Sequence, residues 1–206
     1  MPLSLRSATA ALLALPLAAC ISFGPKPPPT LMTLTPASPV AAGAAIATDD
    51  ASAIAVAVPT VDPALNTQRV MVQDGPTGVA YLKGARWAAA PAELFHDLLA
   101  ETIMARTGRV VPDRRLVASN PDTQLSGHLL AFGLDGPGHR AGVVFQATLV
   151  HAGKMAIETR RFAAWQPVSR EDGPAVAGAL NRAANRVALD VASWLGGPAS
   201  TRPSAQ

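Results

Sequence analysis

The only cysteine of this 206-residue chain, Cys20, is the feature that most limits how it can fold. With no second cysteine, disulfides contribute nothing, and any folded body is held by burial and hydrogen bonding. The position of the cysteine says more. Arg6 precedes a run from Ala8 to Leu17 that is almost wholly Ala and Leu, and Ala18-Ala19-Cys20 follows. That is a charged start, an apolar centre too short to span a bilayer, and small residues at a cut site. Leu17 occupies the third position before the cut, where ordinary secretory cleavage prefers a small residue and lipoprotein cleavage prefers leucine. Leu17, Ala18 and Ala19 therefore read as signal-recognition residues. Residues 1–19 read as a lipoprotein signal peptide, and Cys20 as the lipidation site, with diacylglycerol on its sulfur and an acyl chain on its new amino group.

Each buried methylene contributes about 0.8 kcal/mol, so one acyl chain holds weakly and two or three hold essentially permanently. No later segment offers about 20 uninterrupted apolar residues, so the expected protein sits on a membrane without spanning it. Ile21 follows the cysteine, where an aspartate often retains lipoproteins at the inner membrane. The expected location is thus the inner leaflet of a Gram-negative outer membrane, facing the periplasm, with the inner membrane as the alternative.

Net charge is +3, and aromatic residues make up only 4% of the chain. Scattered basic residues with few stacking rings argue against nucleic-acid binding. Residues 20–52 are expected to form the lipidated cysteine and a Pro/Ala-rich tether. Pro25 and Pro27-Pro28-Pro29 favour an extended spacer, rising about 3.1 Å per residue. A short strand is expected at 31–34, and Thr35 to Ser52 reads as a flexible excursion.

The folded domain is expected over 53–197, followed by a disordered tail at 198–206. Ala53 to Val58 reads as a strand stopped by Pro59. Arg69–Val72 and Val79–Leu82 flank Asp74-Gly75-Pro76 and predict a hairpin. Pro91 opens a helix to about Arg106, stopped by Gly108, with an apolar stripe of Leu94, Phe95, Leu98, Leu99 and Ile103. Its other side carries Glu93, His96, Asp97 and Glu101. Arg109–Val111 is expected as a short strand. Thr123–Leu134, Val143–Leu149 and Met155–Trp165 predict a three-stranded antiparallel meander. A last helix, capped at Asp172 or Gly173, repeats Val176, Leu180, Ala183, Val187, Val191 and Trp194 at steps of three or four before Gly196-Gly197-Pro198. The expected fold class is α+β: a two-layer domain of a mostly antiparallel sheet and two amphipathic helices.

The order of these pieces carries a resemblance. Lipobox, Pro-rich tether, Val58-Pro59, Leu65 to Val72, Arg86-Trp87-Ala88 before a Pro-Ala-Glu-Leu helix, Gly108 to Val111, and a closing Ala-rich helix ending Trp194-Leu195 resemble the ABC-type transport auxiliary lipoproteins, the PqiC-like family. Asn66 stands where that family commonly has an aspartate. Gly127 and His128 stand where an alternating apolar face and an acidic residue are more usual. The resemblance implies a non-enzymatic subunit that works with an ABC permease, an ATPase and a periplasmic MCE-domain protein to move lipid between membranes and support outer-membrane integrity. Self-assembly into a homo-oligomer is a further expectation. Two other readings stand beside it: a carrier holding acyl chains between helix and sheet, and a structural envelope lipoprotein.

The residues themselves provide no catalytic constellation. Glu93, His96, Asp97 and Glu101 read as a solvated helix face rather than an acid/base or metal cluster. His128, His139 and His151 lack metal-ligand spacing. The Gly136–Gly142 stretch is a hairpin turn with a proline in it, and no Walker-type loop is present, so ATP hydrolysis belongs to a partner. No cofactor or metal is expected beyond the covalent lipid. Trp87 reads first as a core or helix-entry residue. Its alternative, with Arg86, is a partner contact, because Trp and Arg are enriched at binding hot spots.

Overall fold

The computed structural model describes residues 30–47, 52–113, 121–151 and 156–196. The signal peptide, Cys20, the Pro-rich spacer and the tail at 198–206 lie outside the described residues. The elements are β1 (Ile54–Val56), β2 (Thr60–Val61), a 3-10 turn (Pro63–Leu65), β3 (Arg69–Asp74), β4 (Gly78–Arg86), α1 (Pro91–Thr107), β5 (Thr123–Asp135), β6 (Arg140–His151), β7 (Ala156–Pro167) and α2 (Gly173–Gly196). Seven strands form one sheet in the order β4-β3-β5-β6-β7, with β1 and β2 also on β5. The class is α+β, with two helices as expected. The meander β5-β6-β7 and the hairpin β3-β4 are antiparallel. β1, β2 and β3 all run parallel to β5, which local patterning does not reveal.

Period-two alternation places the core. Ala141, Val143, Phe145, Ala147 and Leu149 on β6 are buried, as are Phe162 and Ala164 on β7 and Leu125, Leu129 and Leu134 on β5. These residues face the helices. α1 contributes Phe95, Leu98, Leu99 and Ile103, and α2 contributes Val176, Leu180, Val187 and Val191. The two helices pack on each other, and α2 lies across β6 and β7. Phe95 meets Phe145 edge-on at 5.3 Å between centroids, a favoured quadrupolar geometry. Gly127 belongs to this interior. A Cβ there would lie 2.6 Å from the Phe145 ring and closer still to the Gln146 carbonyl, so the missing side chain makes room for the ring.

Helix ends follow their chemistry. Pro91 begins α1, and Gly108, at φ +67°, ends it by donating its N–H to Met104 O. The Asp172 carboxylate accepts the Ala175 N–H at 2.9 Å and caps α2.

Three expectations change. Thr35–Ala47 is not a flexible excursion. The Thr35 N–H donates to Asn181 Oδ1 at 2.8 Å, the Ala37 N–H to Asn185 Oδ1 at 2.6 Å, and the Val40 N–H to Glu101 Oε1 at 2.7 Å. Asn185 also donates to Thr35 O at 2.9 Å, so the segment is pinned along both helices. The expected strand at 31–34 is a single parallel bridge, Met32 to Trp87. Arg109–Val111 forms no strand. The Val110 carbonyl accepts the Ile54 N–H, and Arg109 is turned inward, its Nη2 donating to Thr123 Oγ1 at 3.0 Å and to Ala53 O at 3.3 Å. Burial lowers the Arg109 pKa from its ordinary value.

Candidate interaction surface

Trp87 is fully buried. Its backbone N–H donates to Gln68 O at 2.7 Å, its ring meets Phe132 edge-on at 5.4 Å, and its buried indole Nε1 has no hydrogen-bond partner among the described residues. The core reading of Trp87 holds, and the partner-contact reading of its ring does not, because no partner reaches a side chain with no exposed surface. Arg86, one residue before, is exposed. The strand's alternation separates the two: one points inward and its neighbour outward.

The acidic helix face does not form a cluster. His96, expected in solvent, is buried at the foot of β1 and its Nε2 lies 3.2 Å from Val56 O. Its Nδ1 lies 2.9 Å from the exposed Asp97 carboxylate. Glu101 instead accepts the Val40 N–H. Asp97 and Glu101 therefore serve different partners, and each ring nitrogen of the buried His96 faces an acceptor oxygen, Val56 O or the Asp97 carboxylate. Among the described residues, no three His, Cys, Asp or Glu side chains are grouped to hold a metal ion.

The other histidines are separate. Thr60 Oγ1 lies 2.9 Å from His128 Nδ1, and Asp62 lies 3.6 Å from its Nε2, tying β2 to β5. His139 bonds Glu171 at 3.1 Å. At the β5–β6 turn, Arg140 donates to Asp135 Oδ2 at 2.9 Å and the Gly138 N–H donates to Asp135 Oδ1 at 3.2 Å. The Arg140 bond, with the Gly138 amide and Arg140's charge, holds the Asp135 carboxyl below the usual carboxylate range.

The helix–sheet interface is filled by side chains, including Phe95, Phe132 and Phe145, all essentially without exposure. A groove of about 490 Å³ runs beside the entering chain, between Leu31, Met32, Gly84, Ala85, Pro174 and Ala177. A second, of about 510 Å³, lies between the outer strand β7 and the last turns of α2, lined by Arg160, Arg161, Phe162, Asp190, Ser193 and Trp194. Trp194 leans on Phe162 at 5.7 Å and so helps build the groove rather than merely ending the helix. Among the described residues, no helix covers the other face of the meander. Ile157 is 72% exposed, and Trp165 is 38% exposed over Gly142. Arg160, Arg161 and Phe162 escaped the sequence reading. Their strand was recognisable, but its place at the edge of the sheet depends on pairings that local pattern does not encode.

Among the described residues, the helix–sheet interface is packed with side chains and the two grooves lie at the rim of the domain. The chain belongs to the family of ABC-type transport auxiliary lipoprotein components, whose model matches residues 33–192. A solved protein of Xanthomonas campestris from family DUF330 has a similar fold, with a TM-score of 0.61, 23% identity, and coverage of 81% of this chain and 92% of its own. A second solved, uncharacterised protein gives a TM-score of 0.62 at 12% identity, covering 81% and 99%. These two likenesses speak for the fold. No curated protein matches the chain.

Proposed function

We propose that this protein is a non-enzymatic, lipid-anchored periplasmic accessory subunit of an MCE-type ABC system that moves lipid between membranes and supports outer-membrane integrity. The observation that carries the reading is the family match over residues 33–192, joined to a lipobox ending at Cys20. Acyl chains on Cys20 hold the chain to the inner leaflet of the outer membrane. The Pro-rich stretch sets its distance, and the domain grips a partner: the MCE-domain protein, itself held by an ABC permease and ATPase, or another copy of this chain. Arg86 remains a candidate contact residue because it is exposed at the end of β4. The carrier reading is less favoured because aromatic and aliphatic side chains occupy the space between sheet and helices.

Cys20→Ala tests the reading in cells. The variant domain should fold, leave the membrane fraction, and sensitise cells to detergent. Fractionation of the native protein on a density gradient should place it with outer-membrane markers. Normal detergent resistance with the unanchored form would contradict the anchoring role.

A further inference from the structure

We infer that the edge of β7, unpaired among the described residues, is a docking strand for an extended, acidic–apolar segment of a partner protein, which adds to the sheet as a further strand. β7 is the last strand in the sheet order, and its register with β6 runs unbroken from Arg140↔Pro167 to His151↔Ala156. An outer strand of this length with no bulge presents a row of main-chain groups ready to pair. Folded proteins protect such edges unless they use them. β7 has no proline before Pro167, and each of its faces carries apolar side chains beside charged or polar ones, Glu158 and Arg160 on the helix side and Thr159 and Arg161 on the other. Ile157 and Trp165 stand on the face away from the helices, and the Phe162–Trp194 groove lies on the helix side. An added strand places alternate side chains on these two faces, as in peptide recognition between a sheet edge and a helix.

Charge names the occupant. Arg160 lies over the Phe162 ring at 5.3 Å, and Arg161 Nη2 donates to Gln146 Oε1 at 2.7 Å. Among the described residues neither guanidinium is paired with a carboxylate. Asp190, the carboxylate in the groove, is taken by Arg186 at 3.1 Å. Two adjacent arginines pointing to opposite faces favour acidic residues on both faces of the incoming strand, with apolar ones beside them. The chain's other outer strand, β4, carries Lys83 and Arg86 and no carboxylate, so pairing β7 with β4 of a second copy sets Arg160 and Arg161 against like charges, with Glu158 the one carboxylate on either strand. Residues after Gly196 carry Pro198, Arg202 and Pro203 and no acidic side chain, which makes the chain's own C-terminal segment a poor occupant.

This inference gives a surface to the accessory role proposed above, and its test separates the two. The full-length protein in mild detergent is mixed with a synthetic twelve-residue peptide of valine and threonine that carries two adjacent glutamates at its centre, so that each face of the added strand bears a carboxylate, and amide exchange is followed. The peptide should slow exchange along β7 and leave β4 unchanged. Arg160→Glu and Arg161→Glu, with unchanged melting temperature, should each weaken binding by about tenfold. A peptide N-methylated along its pairing edge should not bind. Any of four results would overturn the inference: no binding at millimolar peptide, binding indifferent to both arginines, binding indifferent to N-methylation, or concentration-dependent protection of β7 without peptide, which makes a second copy the occupant. Each leaves the lipid-anchor reading standing. Conversely, loss of the anchor by Cys20→Ala should not change peptide binding.

Discussion

The two edges of β5 are built differently. On one side β6 runs beside it over its whole length, followed by β7 and then α2. On the other side three short pieces, β1, β2 and β3, share the edge, each parallel to β5 and drawn from a different part of the first 74 residues. The meander is held by continuous ladders and a shared apolar interior. The N-terminal side joins β5 through short parallel ladders and shares that interior through Ile54, Val56, Val70 and Trp87, and it is tied further by scattered single bonds: Arg109 to Ala53 and Thr123, His96 to Val56, and Asn181 and Asn185 to the entering chain. Sequence-local contacts give robust and recognisable structure, while distant ones stitch an otherwise loop-like sequence into place. The difference also bears on role. The stitched side receives the chain from its expected anchor, and the meander side presents the outer edge of β7.

If the comparison is right, the largest effect lies in the interior of the meander side. Phe145→Ala removes the ring that meets Phe95 and fills the space above Gly127. It should cost about 3–5 kcal/mol in denaturant unfolding. A loss below about 1 kcal/mol would mean that the meander does not carry the core. Next comes the stitch at Asn185. Asn185→Ala leaves the Ala37 N–H and the Thr35 carbonyl without their partner. It should cost about 1–3 kcal/mol, and exchange at the Ala37 amide should quicken while β6 amides hold. Uniform quickening would erase the distinction between the two sides.

His96→Leu strips Val56 O of its side-chain partner. It should cost about 1 kcal/mol, felt first in exchange along β1 and the Ile54 amide. The smallest effect is at the β5–β6 turn. Asp135 has its pKa depressed in the folded state, first by the Arg140 bond. Its stabilisation is therefore present above the ordinary carboxylate pKa and is lost as pH falls through the folded value. Asp135→Asn should lower the melting temperature slightly at pH 7, by a difference that shrinks as the pH is taken down through the lowered folded pKa, in matched thermal scans. A difference that stays the same at every pH would place the effect outside the carboxylate's charge.

The same division explains what could be read from the sequence. β6 alternates strictly from Val143 to Leu149, the Asp74-Gly75 turn marks the β3–β4 hairpin, and α2 carries its own cap and stripe, so these elements are legible in short windows. The run from Thr35 to Ala47 looks like a loop by composition. Its order comes from Asn181 and Asn185, nearly 150 residues away. Arg109–Val111 has strand composition, yet Arg109 is drawn inward to a hydroxyl and a carbonyl, and the β5 edge is already occupied. His96 has a polar side chain at a helical position that faces β1, and only the tertiary fold reveals the carbonyl that satisfies it. For the interaction surface, Trp87 drew notice through its residue type, whereas its burial is a tertiary fact. The two arginines of β7 became legible only once β7 proved to be the outer strand.

The most direct test of the accessory-subunit account is a mild-detergent pull-down of the tagged, lipidated protein, with mass spectrometry of both proteins and lipids. The account predicts recovery of an MCE-domain protein together with its ABC permease and ATPase. Recovery of stoichiometric phospholipid with none of these proteins would contradict it and establish a carrier instead.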